Sequence, residues 1–413
     1  MFKSAYLGTV GAVLMSGTAL AQSAPEVEVL HWLTAGAESA AIQVLAEGVA
    51  ARGGEWVDVA TPGGGSDARA LLATGLAGGT PPGVSFLGMG PDTAELAQQG
   101  LMRDIRGYAE ENNYLANVPQ YALDMGTDGA GGDGIYALPV AFEIQNFMWY
   151  SQPVYDAVGI EPPTSWGEFF EQAPKISEAG FTPIAVGAQS WQINLLFNAL
   201  VLGEGKDFYD RLFVSLDPEA GSAPELVSAF SVLRGLSELT DEGAANRSWN
   251  DTLNLVAEGR AAMQIMGSWA GAELQAIGKE YGAEWGCALS PGSPVAMVGA
   301  TGFQFPALNS EEGDAGQNIF IDTMMDPSIQ AAFSVQKGSI PARTDADTAD
   351  LSACAQLAAE AVREGNGAPY THGVLGSEVR GLLSDYLANF WANSSLTAEE
   401  GAAEYARILS SNT

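Results

Sequence analysis

Residues 26–38 read EVEVLHWLTAGAE, and these thirteen positions hold the end of a strand, a turn and the start of a helix. The apolar strand stops at an aromatic residue, Trp32, turns through Thr34-Ala35-Gly36, and enters a helix carrying Glu38. That layout sets Trp32 and Glu38 at the carboxyl end of a strand, where open α/β sheets place their ligand crevices. A ring face beside a carboxylate suits a polyhydroxylated ligand: the ring covers apolar C–H groups and the carboxylate accepts hydroxyl protons. The bland alternative makes Trp32 core and Glu38 a solvated first-turn acid, since aromatic residues mostly serve packing.

Downstream the same rhythm repeats. Strand Val27–Trp32 and helix Ser39–Ala51 are followed by strand Trp56–Ala60, the glycine run Gly63–Gly65 and a helix from Asp67 to Leu76. Strand Val84–Leu87 and helix Asp92–Gln99 complete a βαβαβα series, which predicts a largely parallel sheet covered by helices. A glycine-rich span at Gly126–Gly134 precedes strand Ile135–Val140. From Phe142 the pattern renews, with strand Phe147–Tyr150 and a helix opened by Ser165 and Glu168 at capping-box spacing. Strand Thr182–Val186, helix Trp191–Leu202, helices Glu225–Leu239 and Asp251–Glu258, and strand Ala262–Met266 follow. That last strand ends in Gly267-Ser268-Trp269, a second strand running into an aromatic turn. Pro291–Gly302 reads as an extended crossover, and the tail from Ser352 as mainly helical.

Residues 1–21 have the three parts of a secretory signal: Lys3, the apolar stretch Ala5–Met15, and the small-residue site Ala19-Leu20-Ala21. Cleavage near Ala21 leaves about 390 residues, enough for two lobes with real cores, and a periplasmic location is expected. No other run approaches ~18 uninterrupted apolar residues, so no membrane insertion is expected. The chain has 50 acidic and 17 basic side chains and a formal charge of −33, which argues against nucleic-acid, anionic-membrane and polyanion partners. The two cysteines, Cys287 and Cys354, are 67 positions apart and read as a disulfide in an exported protein.

Signatures of catalysis and metal binding are thin. His31 and His372 are far apart and lack ligand-spaced neighbours, so no metal or cofactor is expected, and His31 reads as structural. There is no G-x-S-x-G, the glycine run lacks the Lys-Ser/Thr of a P-loop, and Gly88-Met89-Gly90-Pro91 fails the dinucleotide fingerprint. What remains is a set of tryptophans at element ends, Trp32, Trp191, Trp249 and Trp269, joined by Glu38, Lys337 and His372. Aromatic platforms with a few polar groups are the inventory of a sugar site.

Several segments in shared order carry a resemblance: Leu30–Glu38, Trp56–Ala60 with the triple glycine, Pro162–Phe169 (PPTSWGEF), Gly187–Gln192, Gly259–Ala270 (GRAAMQIMGSWA) and Lys337–Arg343 (KGSIPAR). Through them the chain resembles the extracellular solute-binding proteins of ATP-driven sugar importers, in the glucose-binding branch. The resemblance implies the α/β type II periplasmic-binding fold, two lobes with a ligand cleft between them and more than one crossover. The lobes would be residues 22–138 with about 295–345, and about 139–294 with 346–413. It implies a monomer that captures a mono- or disaccharide, glucose or a related hexose, and delivers it to a membrane permease without catalysis. By position, Trp32 and Glu38 would contribute from one lobe, Trp249, Trp269 and Trp191 from the other, with Lys337 and His372 donating to hydroxyls. Three departures, Leu33 in place of a second tryptophan, Gly88–Met89 in place of a polar or charged group and Thr301 or Gly302 in place of an acid, imply a shifted specificity. An exported carbohydrate-active enzyme and a ligand carrier for a chemotaxis receptor are the competing functions.

Overall fold

The computed structural model describes residues 24–411 apart from 63, 128, 130 and 131, so the expected export signal at 1–21 lies outside the described residues. Eleven strands are described: β1 (Glu26–His31), β2 (Glu55–Ala60), β3 (Val84–Gly88), β4 (Ala137–Ile144), β5 (Phe147–Ser151), β6 (Thr182–Ile184), β7 (Ala261–Met266), β8 (Trp285–Leu289), β9 (Ala296–Gln304), β10 (Ile340–Pro341) and β11 (Gly367–Pro369). They form two sheets. The larger has the order β10-β4-β9-β3-β1-β2, with β11 joined to β9, and the smaller the order β6-β7-β5-β8.

In the larger sheet β1 lies between β2 and β3, parallel to both. Val27, Val29 and Leu30 are accordingly buried on both faces, while β2 at the edge is only half-covered. The expected parallel arrangement stops there. β9, which the chain reaches only after passing through the smaller sheet, runs antiparallel to both β3 and β4. The stretch read as a crossover at 291–302 is therefore mostly a central strand. β9 tolerates this place through close backbone approach: a methyl group at Gly302 would lie 2.2 Å from the Leu138 carbonyl oxygen. Across from it, β4 carries Pro139 next to a register shift, where the missing N–H costs no ladder bond.

The smaller sheet packs its strands on the almost wholly buried helix Ser190–Gly203 and on helices of the tail. Cys287 on β8 and Cys354 on helix Ala353–Arg363 form the disulfide that ties the tail to this sheet. Ser165 caps helix Trp166–Glu178, accepting from the Glu168 N–H at 3.2 Å, while Glu168 reaches back to the Thr164 N–H at 2.8 Å.

The chain passes from one sheet to the other at 144–147 and 289–296, and the tail links them again, its helix Ala353–Arg363 bonded to β8 while β10 and β11 on either side lie in the larger sheet. Asn146, fully buried, joins the two passages. Its amide donates to the Val295 carbonyl (2.9 Å), its side-chain oxygen accepts from the Met297 N–H (2.8 Å), and its main-chain oxygen accepts from the Ser290 N–H (2.8 Å). β4 extends to Ile144 within the larger sheet, through the position at which the sequence reading divided the lobes, and β11 also joins that sheet.

Candidate functional site

β1 ends one residue before Trp32, whose half-buried ring rests 5.0 Å from Phe86 on β3. The helix Gly36–Ala51 starts without a side-chain cap of its own. Instead the Ala37 N–H donates to Glu273 at 3.0 Å, a carboxylate on helix Trp269–Ala276 beyond the smaller sheet. A negative charge there answers the exposed N–H groups and the positive helix end.

One turn into that helix, Glu38 is buried against Lys337, the last residue of helix Pro327–Lys337. The Lys337 ammonium is only 2 % exposed and meets Glu38 Oε1 at 3.2 Å and Glu143 Oε1 at 2.7 Å. Its Nζ also lies 4.9 Å from the ring centroid of Trp269, within range of a cation–π contact. Trp269 opens its helix with the ring folded back over Gly267, where a methyl group would fall 2.1 Å from the indole. The turn is held by Trp149, whose Nε1 donates to the carbonyls of Met266 (3.0 Å) and Gly267 (3.2 Å). Trp249, the first residue of helix Trp249–Ala257, stands edge-on to Trp269 with centroids 6.4 Å apart.

Burial pushes the Glu38 carboxyl up, and the neighbouring Glu143 charge adds to this against the pull of Lys337. Burial also works against the charge on Lys337, but Glu143 and Glu38 outweigh it and hold the ammonium above its ordinary range. One ammonium thus lies between two carboxyl groups, a fixed donor at the centre. Each carboxylate gives one oxygen to Lys337 and keeps further lone pairs for hydroxyl protons.

His372 sits in the short turn Thr371–Gly373, stacked on Tyr370 at 4.6 Å and 29°. Its Nδ1 would lie 3.6 Å from a methyl group on Gly88, at the end of β3. Gly88 pairs with Thr301 on β9, whose hydroxyl donates to the Ala141 carbonyl at 3.2 Å. Burial holds the His372 imidazole well below its ordinary pKa, with Arg380 and Arg69 pushing the same way.

Glu38, Lys337, Trp269 and Trp249 thus form one contiguous group, and His372 and Thr301 each neighbour Gly88 at the end of β3. Trp191 is different: it is 39 % exposed, and its Nε1 donates to its neighbour Gln189 at 3.0 Å. Leu33 is buried in the core beneath helix Gly36–Ala51, within the cluster on whose margin Trp32 packs. His31 is structural as expected, its Nε2 bonded to Asp58 across β1 and β2 at 2.7 Å. Sequence reading missed Glu143, although a carboxylate inside the apolar run ALPVAFEI, residues 137–144, is itself a signal of a paired or functional charge. No cluster of three His, Cys, Asp or Glu side chains able to hold a metal occurs among the described residues. Nor, among the same residues, is any helix long and apolar enough to cross a membrane.

Two lobes of this architecture define a class. The structure superposes on a chitin oligosaccharide binding protein with TM-score 0.79 at 19 % identity, covering 95 % of this chain and 99 % of the other. A maltose-bound T. maritima protein gives TM-score 0.75, again at 19 % identity, over 93 % and 99 %. The fold is the type II periplasmic-binding fold. The chain belongs to the bacterial extracellular solute-binding proteins, whose family profile matches residues 50–361. A Brucella melitensis relative is 34 % identical over 372 residues, 89 % of this chain and 87 % of its own. A Rhizobium meliloti relative is 34 % identical over 362 residues, 87 % and 86 % respectively. Both carry the name probable sugar-binding periplasmic protein.

Proposed function

We propose that this chain is a periplasmic sugar-binding protein that takes up a hexose, glucose or a close relative, alone or in a disaccharide, and presents it as a monomer to the permease of an ATP-driven importer. The observation that carries this reading is the buried Glu38–Lys337–Glu143 group beneath the Trp269 ring. A central donor flanked by acceptors beside an aromatic face matches the alternation of hydroxyl and C–H on a pyranose. The names of the relatives support it. In this reading one lobe holds the larger sheet and the other the smaller, and the lobes meet near the passages at 144–147 and 289–296. Glu38 and Lys337 act from the first lobe and Trp249 and Trp269 from the second, so a ligand bridging them favours the closed arrangement.

A thermal-shift screen over mono- and disaccharides tests it. A true ligand at a thousandfold excess over its Kd adds ~4 kcal/mol of stability. Trp269→Ala should then weaken affinity by more than about tenfold, worth ~1.4 kcal/mol, with the circular-dichroism spectrum unchanged. Calorimetric titration returning the wild-type affinity would remove Trp269 and its neighbours from the site, and no response to any sugar would reject the reading.

A further inference from the structure

Beside Trp32 stands a second charged group that sugar hydroxyls alone do not explain. Arg69 lies on helix Gly65–Gly78, Asp92 on helix Pro91–Gln98 and Arg380 on helix Ser377–Ala392. Asp92 forms an ion pair with Arg380 through Oδ2 and accepts from the Ser377 N–H through Oδ1 at 2.8 Å. Arg69 reaches the same carboxylate only at 3.7 Å, wider than a hydrogen bond, and has no closer acceptor among the described residues. Arg380 is buried, and its Nε has no hydrogen-bond partner. Two guanidinium groups therefore share one carboxylate, and donors of both are left over.

The position of these donors matters. A methyl group on Gly65 would lie 3.6 Å from Arg69 Nη2 and 3.6 Å from the Trp32 ring, so guanidinium and indole are neighbours. Arg69 and Arg380 both act on His372 and Tyr370, which places His372 at the same end of the cleft. Since His372 is held neutral, the group carries one net positive charge. In a chain with 50 acidic side chains and 17 basic ones, an under-neutralised arginine pair is an exception to the general field.

We propose that the sugar carried by this protein is a sugar acid, a hexuronate or a short oligosaccharide ending in one, whose carboxylate docks on Arg69 and Arg380 beside Trp32. A planar carboxylate takes two parallel N–H bonds from a guanidinium fork. Its single charge matches the single excess positive charge, whereas a phosphate dianion would leave a negative charge uncompensated in a largely desolvated site. This inference rests on the sugar-binding reading and narrows it.

Calorimetric titration of the full chain compares galacturonate, glucuronate and digalacturonate with galactose, glucose and glucose 6-phosphate. The expected result is that at least one acid binds about tenfold or more tightly than its neutral counterpart, with an affinity that falls as salt rises from 50 to 500 mM. Arg69→Gln, at a side chain 31 % exposed, should bring acid and neutral sugar to within about threefold of each other. Arg380→Gln serves as a second variant, checked for folding by circular dichroism. Neutral sugars binding as tightly as the acids, or glucose 6-phosphate binding best, would overturn the sugar-acid assignment and leave sugar binding intact. If none of the six compounds binds, the sugar-acid assignment falls, and sugar binding falls with it only when the wider screen of mono- and disaccharides is also silent.

Discussion

At Lys337 one ammonium is shared by two carboxylates, and at Asp92 one carboxylate is shared by two guanidinium groups. The first group is almost wholly buried, with its central charge bonded on both sides and covered by an aromatic face. The second leaves Arg69 partly open to solvent and the Arg380 Nε without a partner. Charges removed from water must find partners within the protein, so the first group is a self-satisfied element that also offers acceptors. The second is incomplete by one anion. The difference separates an end of the cleft that is ready for neutral hydroxyls from an end that is waiting for charge.

The largest effect should come from removing the shared ammonium. Lys337→Met strands Glu38 and Glu143 as unpaired buried carboxylates and should cost about 3–5 kcal/mol in urea unfolding at pH 7. Adding Glu143→Gln should return more than half of that loss. A single-variant cost below ~1 kcal/mol would show that the group is not self-satisfied. At the other end Asp92→Asn leaves two arginines facing each other. Screening through the exposed Arg69 reduces the penalty to about 2 kcal/mol. Millimolar sulfate should recover part of the melting-temperature loss in Asp92→Asn and none in Lys337→Met, and equal rescue of both would erase the contrast.

A smaller effect belongs to Glu273, which connects the two lobes through the Ala37 N–H. Glu273→Gln keeps a hydrogen-bond acceptor but removes the charge at the helix N-terminus, and should cost roughly 0.5–1 kcal/mol at low salt. Loss of the effect in high salt would identify it as electrostatic. The smallest effect is one of pH. His372 stays neutral in the folded protein while its ordinary pKa is 6.5, so below that pH the unfolded chain binds a proton that the folded one does not. The contribution is complete above pH 6.5 and is lost as the pH falls through it, with a slope of at most ~1.4 kcal/mol per pH unit. His372→Gln should flatten the stability profile between pH 7 and 5.5. Glu38, whose carboxyl is raised, tilts the profile the other way in both proteins and cancels in the difference. An unchanged profile would place His372 in water.

Most of the first end was legible in the sequence; of the second, Trp32 and His372 were legible and the charges were not. Trp32, Glu38, Trp269 and Lys337 stand at element boundaries, where strand and helix periodicity end and a side chain has no periodic reason to be aromatic or charged. Glu143 was hidden because the strand was expected to stop at Val140, which put the acid outside the apolar run that marks it. Arg69, Asp92 and Arg380 come from three helices whose charges look like ordinary solvated faces until the tail folds against the larger sheet. Leu33 and Trp32, both past the end of β1, pack on the same core cluster, Leu33 within it and Trp32 at its margin, a difference of depth that adjacency in sequence does not reveal. The fold followed the same division. The βαβ series through β3 is local and was readable, while the antiparallel insertion of β9 depends on a partner about 160 residues away.

Asn146 bears on mechanics. Two separate threads between rigid bodies can twist, shear and swivel independently of one another. Fastened across by one amide and its backbone neighbours, they form a ribbon that is stiff to torsion and to sliding and soft to flexing. The tail runs beside this ribbon, with β10 and β11 in the larger sheet and the helix between them tied to β8, so bending is the motion that strains the fewest of these connections.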